Sequence, residues 1–203
     1  MHTNSKILTT WTLIFIGCHF AFSTQRIDSC KDYEVEKLIR RVLTWVHSEQ
    51  FLDAVPGVIQ NDSIYIGIDF AQHNKNMIKL EDSRLFAPEF MENHHSWIVM
   101  IDKKLRENSF ESGSWLVGYY PPFTLSEGGN VWCNCQDVPY ESPNPWSQVE
   151  IERLDGNSFA WKWGGLQDMS SGWGKFRYRF DVQYLDGECR IARMEGFNLE
   201  TIR

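Results

Sequence analysis

Hydrophobic and polar residues alternate most regularly near the end of the chain, between Lys175 and Leu199. From Phe176 to Tyr184 every second residue is aromatic or valine, and charged or amide residues separate them. A period of two is typical of a β-strand with one buried face. Asp186-Gly187 follows at once, and this dipeptide favours a type I′ turn because both central positions need positive φ. The pattern predicts a long β-hairpin.

A two-residue turn also fixes which residues of the two strands face each other. Arg193 and Glu195 would then lie on the aromatic face, within cross-strand reach of Tyr178. The expected pairs are Tyr184 with Cys189, Val182 with Ile191, Phe180 with Arg193, Tyr178 with Glu195, and Phe176 with Phe197.

Helical periodicity dominates the first half of the chain. Apolar residues from Val35 to Val46 recur at helical spacing, which predicts an amphipathic helix from an Asp32 N-cap to about Glu49. Residues 58–70 alternate as a short strand or extended segment. We expect a second helical region, capped by Asp82 or Ser83, that runs through residues 85–91, and helix again over residues 97–105.

The second half combines loops with short strands. Residues 113–147 are rich in proline and glycine, which indicates turns and ordered loop. Strands are expected over 148–154 and 158–163, with a turn at Asp155-Gly156, and a Gly/Ser-rich loop over 164–174 precedes the hairpin. Helices followed by at least four antiparallel strands predict an α+β fold, in which N-terminal helices cover one face of a curved sheet.

Three features carry a resemblance to a known family. They are the capped first helix, the segment Trp132–Asp137 ahead of the sheet, and the closing strand pair with its Asp-Gly turn and the run Arg190–Gly196. The chain resembles the NTF2-like (cystatin-like cone) superfamily and is similar to the exported bacterial DUF3828 proteins. The resemblance implies a cone-shaped single domain and an association with periplasmic immunity proteins that neutralise cell-wall-degrading toxins. It implies no catalytic residues.

The N-terminal residues are typical of an export signal. Lys6 is the sole charged residue before Arg26, and residues 7–22 are mostly apolar. Residues 1–23 are expected to be a signal peptide, which leaves 24–203 as one domain in the periplasm or outside the cell. Residues 15–18 also resemble a lipobox, in which case Cys18 would be lipidated and the protein membrane-anchored. A third interpretation is that the apolar segment stays uncleaved and anchors the protein in the membrane.

Composition and charge narrow the possible partners. The chain is 42% hydrophobic, contains nine tryptophans, and has a formal net charge of −7. The composition predicts a folded protein, and the charge argues against nucleic acid or an anionic membrane as the main partner. A basic protein partner fits the charge.

Four cysteines remain after the signal peptide: Cys30, Cys133, Cys135 and Cys189. Export favours two disulfides. A bridge between Cys133 and Cys135 is not expected, because one intervening residue strains the geometry. We expect each of these two to pair instead with Cys30 or Cys189. A metal site is the alternative, although Cys-x-Cys lacks the usual zinc-knuckle spacing.

Candidate catalytic chemistry is sparse. Tyr178, Arg193 and Glu195 could form a polar pocket in the cone, or a patch whose members only satisfy one another. Histidines 73, 94 and 95 could bind metal or act as bases beside Asp69 and Glu92, but solvated surface histidines are expected. No serine elbow or phosphate-binding loop is present in the sequence. We predict no catalytic residues, cofactor or metal.

Two loops carry aromatic or apolar residues suited to binding a partner. Alternatively, these side chains fold back over the ends of the sheet. Phe159, Trp161 and Trp163 are expected in the core. The sequence favours a non-enzymatic inhibitor or immunity protein that blocks a toxin or hydrolase; the alternative is a small-ligand binder or enzyme that uses the hollow of the cone. The candidate binding residues are Tyr119, Tyr120, Phe123, Leu166, Met169 and Trp173.

Overall fold

The computed structural model describes most of the chain after residue 28. The predicted signal peptide, Cys18 and Met169 lie outside the described residues. The described ranges are 29–48, 52–123, 129–140, 144–166 and 172–202.

The first helix, α1, spans Asp32–Ser48 and buries the apolar stripe that the sequence predicted. Its cap differs from the prediction. The carbonyl of Lys31 accepts the first helical hydrogen bond from Val35 N, and the Glu34 carboxylate accepts from Lys31 N at 3.1 Å. Asp32 instead pairs with Arg153 at 2.6 Å and so ties α1 to the sheet. The buried residues of α1 are Val35, Leu38, Ile39, Val42, Leu43 and Val46.

The extended segment after α1 is a complete hairpin, with strands β1 (Gly57–Gln60) and β2 (Ile64–Ile68). Asn61 and Asp62 form its turn, with φ of 51° and 54°. Two short polar residues that tolerate this conformation thus closed a hairpin that the sequence analysis did not predict.

Two helices follow, and their bounds correct the prediction. Helix α2 spans Phe70–Ser83 and begins where the Asp69 carboxylate accepts from Ala71 N and Gln72 N, both at 3.0 Å. Asp82 and Ser83 therefore lie at the end of a helix, whereas the sequence predicted that one of them caps the start of a helix. Helix α3 spans Pro88–Glu107 and begins at a proline, which needs no amide donor there.

The main sheet has four antiparallel strands in the order β3-β4-β5-β6. A 3-10 turn (Pro145–Gln148) precedes the sheet, a short helix α4 (Gly172–Lys175) precedes β5, and two 3-10 turns (Glu195–Phe197, Leu199–Thr201) follow β6. The turn between β3 and β4 lies at Gly156 and Asn157, one residue later than predicted. The strands are β3 (Val149–Asp155), β4 (Ser158–Trp163), β5 (Tyr178–Leu185) and β6 (Glu188–Met194).

The register of the β5–β6 hairpin is correct near the turn and wrong beyond it. Tyr184 pairs with Cys189 and Val182 with Ile191, as predicted. The register then shifts by one residue, so Phe180 pairs with Met194 and not with an arginine. The bulge puts an apolar side chain on the aromatic face, because burying an unpaired arginine there would be costly.

Helices α1 and α3 pack against the sheet and enclose the core. Phe159, Trp161 and Trp163 are at most 3% exposed, which confirms their predicted core position. The α+β prediction is confirmed, with a four-stranded antiparallel sheet, a second two-stranded sheet and covering helices. Of the helices in the described part of the chain, none combines the length and apolar character needed to cross a membrane.

The disulfide connectivity is the reverse of the prediction. Cys30 pairs with Cys189, which joins the start of α1 to β6, and Cys133 pairs with Cys135. A tight turn brings the two loop cysteines together: Asn134 adopts φ of 49°, and Asn130 N bonds to the Cys135 carbonyl at 3.0 Å. Local backbone geometry, which spacing alone does not reveal, permits the short bridge.

Candidate functional site

Two aromatic residues predicted to bind a partner, Tyr119 and Tyr120, are exposed to solvent. Tyr119 is 71% exposed and Tyr120 is 58% exposed. Their neighbour Phe123 is fully buried and anchors the loop in the core. Rigid aromatic side chains held in water are suited to anchoring a protein interface, since they offer large contact areas at low entropic cost.

The loop that carries the two tyrosines is held by the β1–β2 hairpin. Tyr65 N donates to the Trp115 carbonyl at 3.0 Å, and Val117 N donates to the Ser63 carbonyl at 2.9 Å. The Trp115 indole N–H lies 3.3 Å from the Tyr119 carbonyl. These bonds fix the backbone on the N-terminal side of the tyrosine pair, which reduces the entropy lost when a partner binds.

A pocket of about 420 Å³ opens beside this loop, between the segment 52–55 and the hairpin. Tyr65 and Trp115 stack in its wall with ring centres 4.0 Å apart. Gly57 permits this packing, because a Cβ there would lie 2.2 Å from the Tyr65 ring. The volume falls within the range of about 300–1,000 Å³ typical of ligand pockets. The aromatic residues that line it are Tyr65, Trp115, Phe123 and Trp132.

One carboxylate, Asp53, belongs to this pocket. The residue is solvent-exposed, and its Oδ1 accepts from Val55 N at 3.1 Å. Surrounding protein displaces enough water to raise the pKa of Asp53 above its usual value, and burial together with the Asp53 charge raises the pKa of Tyr65. No sequence motif marks Asp53 as a site residue.

The described ends of the second predicted loop, residues 164–166 and 172–174, pack against the core. Leu166 and Trp173 are partly buried there, and the Trp173 ring makes an edge contact with Trp163 at 6.3 Å. These two side chains therefore pack toward the core, and Met169 lies outside the described residues.

The predicted polar cluster of Tyr178, Arg193 and Glu195 does not assemble. The Tyr178 hydroxyl is buried, donates to the Val131 carbonyl at 2.7 Å and accepts from Gly196 N at 2.9 Å. Burial raises its pKa well above the usual range. Because both hydrogen bonds join backbone segments, Tyr178 has a structural role.

The other two members of that cluster line a surface groove of about 850 Å³ between α3 and the sheet. Arg193 pairs with Glu89 at 2.6 Å, and Glu195 accepts from Arg179 N at 2.7 Å. The inner face of the sheet is occupied by buried aromatic side chains, so the small-ligand alternative gains no support from the hollow. The residues that occupy it are Trp161, Trp163 and Phe180.

The prediction of surface histidines is wrong for two of the three. His73 and His94 are at most 1% exposed, and His73 Nε2 lies 3.1 Å from His95 Nδ1. Burial and the neighbouring imidazoles lower the pKa of His94 to about 3 and also lower that of His73. Within the described residues, no group of three or more potential ligands is arranged to hold a metal. Asp69 caps α2.

Comparison of the chain with protein-family models, with curated proteins and with solved structures finds no match. The NTF2-like architecture and the similarity to DUF3828 proteins therefore stay predictions.

Proposed function

We propose that the protein is an exported, non-enzymatic binding protein that docks on a basic protein partner through Tyr119 and Tyr120, in the manner of an inhibitor or immunity protein. The observation that carries this proposal is the exposure of both adjacent tyrosines, 71% and 58%, on a loop fixed by backbone hydrogen bonds. Large aromatic side chains are mostly buried on average, and adjacent exposed ones form a contiguous patch of the kind that anchors interfaces.

The charge of the protein supports a basic partner. The chain carries 27 acidic and 20 basic side chains, which steers cationic surfaces toward it. At the pocket beside the tyrosines, Asp53 adds a local negative charge. A secreted toxin or hydrolase with a basic active-site cleft fits this surface.

The experiment compares capture by three forms of the tagged mature chain, residues 24–203, from extracellular and periplasmic extracts of the source culture. The forms are the wild type, Tyr119→Ala/Tyr120→Ala and Tyr33→Ala. Tyr33 is a matched control because it is 67% exposed on α1, away from the loop. We expect one basic protein to be retained by the wild type and the control but lost from the double variant.

Affinity of the purified pair, measured by calorimetry, should fall at least about 30-fold in the double variant, as for an interface hot spot. Circular dichroism should show unchanged folding, since neither tyrosine side chain is in the core. Equal capture by all three forms, or capture of no stoichiometric protein, would contradict the proposal.

A further inference from the structure

The pocket beside the tyrosine loop has a rigid floor. Three successive carbonyls in the segment 52–55 accept hydrogen bonds from buried side chains. The donors are Trp132 Nε1 to Leu52 at 2.9 Å, Asn76 Nδ2 to Asp53 at 2.8 Å, and His94 Nε2 to Ala54 at 3.4 Å when that nitrogen carries the proton.

These three donors come from separate parts of the chain. Asn76 lies on α2 and His94 on α3, while Trp132 directly precedes the short disulfide. All three are at most 2% exposed. The backbone that carries the Asp53 carboxylate is therefore held from three directions, as a preorganised binding site requires.

The Asp53 carboxylate can accept further hydrogen bonds. An ionised carboxylate accepts about four hydrogen bonds, and Asp53 accepts one, from Val55 N. Among the described residues, no arginine or lysine forms an ion pair with it. Because Asp53 is exposed and unpaired, its carboxylate is open to a charge-assisted hydrogen bond from a bound cation.

The rest of the pocket is suited to the apolar part of a long cationic side chain. Tyr65 and Trp115 provide a stacked aromatic wall, and Phe123 and Trp132 complete the lining. Arginine and lysine lay their methylene groups on such surfaces while the charged group reaches a polar partner. A guanidinium also stacks on aromatic rings and binds a carboxylate through two donors.

We propose that this pocket binds an arginine or lysine side chain of a protein partner, with the cationic group on the Asp53 carboxylate and the methylene groups against the aromatic wall. This inference rests on the proposed function, because the cation would belong to the partner that docks on Tyr119 and Tyr120. The pocket would then supply specificity for a basic residue, and the tyrosines would supply contact area.

The test uses small probes, so that it does not depend on identifying the partner. N-acetyl-arginine amide and N-acetyl-lysine amide are titrated into the mature chain, with N-acetyl-citrulline amide as the uncharged analogue of the arginine probe. Binding is followed by calorimetry and by the NMR signal of the Trp115 indole N–H, assigned with Trp115→Phe. We expect the cationic probes to bind at least about tenfold more tightly than citrulline.

Asp53→Asn tests the carboxylate directly. Asparagine retains an acceptor for Val55 N but loses the charge, so cation binding should fall at least about tenfold while thermal unfolding is unchanged. Asp62→Asn is the matched control, since Asp62 is exposed in the β1–β2 turn and does not line the pocket. In the wild type, binding should also weaken in acid as Asp53 is protonated.

Equal binding of the arginine and citrulline probes would overturn the inference, as would full binding by Asp53→Asn or no binding of either cation. None of these results would affect the capture experiment with the tyrosine variants, so failure of the pocket and failure of the docking loop can be distinguished.

Discussion

The groove between α3 and the sheet and the pocket beside the tyrosine loop differ in how their charged groups are satisfied. In the larger groove, Arg193 pairs with Glu89, and Glu195 accepts from a backbone amide. In the smaller pocket, Asp53 has one hydrogen bond, from Val55 N. A cavity of 850 Å³ thus offers less unsatisfied chemistry at these positions than one of 420 Å³. Binding of the arginine probe at Asp53 would show that an unpaired carboxylate is a better guide to a binding site than cavity volume.

The two disulfides offer the largest test of this comparison, because one lies on the sheet side and the other directly follows the pocket-lining residues 129–132. Cys30–Cys189 joins residues 159 positions apart, whereas Cys133–Cys135 joins residues two positions apart. Loop-closure entropy predicts stabilisation of about 5 kcal/mol for the long bridge and about 1.6 kcal/mol for the short one. Urea unfolding of the two double-alanine variants measures both values.

The variant that loses less stability should lose more affinity for the arginine probe. Removal of the short bridge should weaken binding of the arginine probe more than removal of the long one, because residues 129–132 line the pocket. Equal loss of stability in the two variants would contradict this contrast between the two regions. Loss of probe binding in a long-bridge variant that still folds would also contradict it.

Tyr178→Phe tests the structural role of the hydroxyl between the two regions. The substitution leaves the Val131 carbonyl and Gly196 N unsatisfied in the interior, which should lower the free energy of unfolding by about 2–4 kcal/mol. Tyr119→Phe removes an equivalent hydroxyl from an exposed ring and should change stability by less than about 0.5 kcal/mol. A small loss at Tyr178 would mean that its hydrogen bonds contribute little net stability.

The buried histidines below the pocket predict a pH dependence. The folded protein keeps His94 neutral down to a pKa of about 3, whereas the unfolded chain takes up the proton below its ordinary pKa of 6.5. Stability is therefore greatest above pH 6.5 and falls as the pH decreases. His94 alone should cost about 2 kcal/mol by about pH 5, and His73, whose pKa is also lowered, adds to that loss.

The control for this pH dependence is His94→Phe, which keeps a ring in the cluster and removes the titrating group. His73 remains and retains part of the slope, because burial and the neighbouring His95 also lower its pKa. Chemical unfolding between about pH 5 and pH 7 measures the two slopes. Identical slopes in the wild type and the variant would show that His94 is not the group responsible.

The sheet side of the molecule could be predicted from the sequence because its information is local. Alternation and the Asp186-Gly187 turn fixed the hairpin, and both turn residues have the expected positive φ, 52° and 87°. The bulge that moves Arg193 off the aromatic face could not be predicted, since it depends on the cost of burying that arginine in the finished core.

The pocket side could not be predicted because long-range contacts build it. Asn76 bonds to the carbonyl of Asp53, 23 residues away along the chain, and His94 bonds to the carbonyl of Ala54, 40 residues away. The missed hairpin did have a local signal, the Asn61-Asp62 turn between two segments that contain isoleucine, and α2 had one in Asp69. Tyr119 and Tyr120 were identified from residue type and loop position, and they are exposed.

Arg193→Ala should have the smallest effect and provides the sharpest contrast with Asp53→Asn. The Arg193 and Glu89 side chains are 64% and 43% exposed, and such surface pairs contribute less than about 1 kcal/mol because water competes for both charges. The variant should therefore unfold at nearly the wild-type urea concentration, bind the arginine probe normally and retain the captured partner. If it instead lost the partner while Asp53→Asn kept it, the groove would be the interface, and charge pairing within the free protein would be a poor guide to where a partner binds.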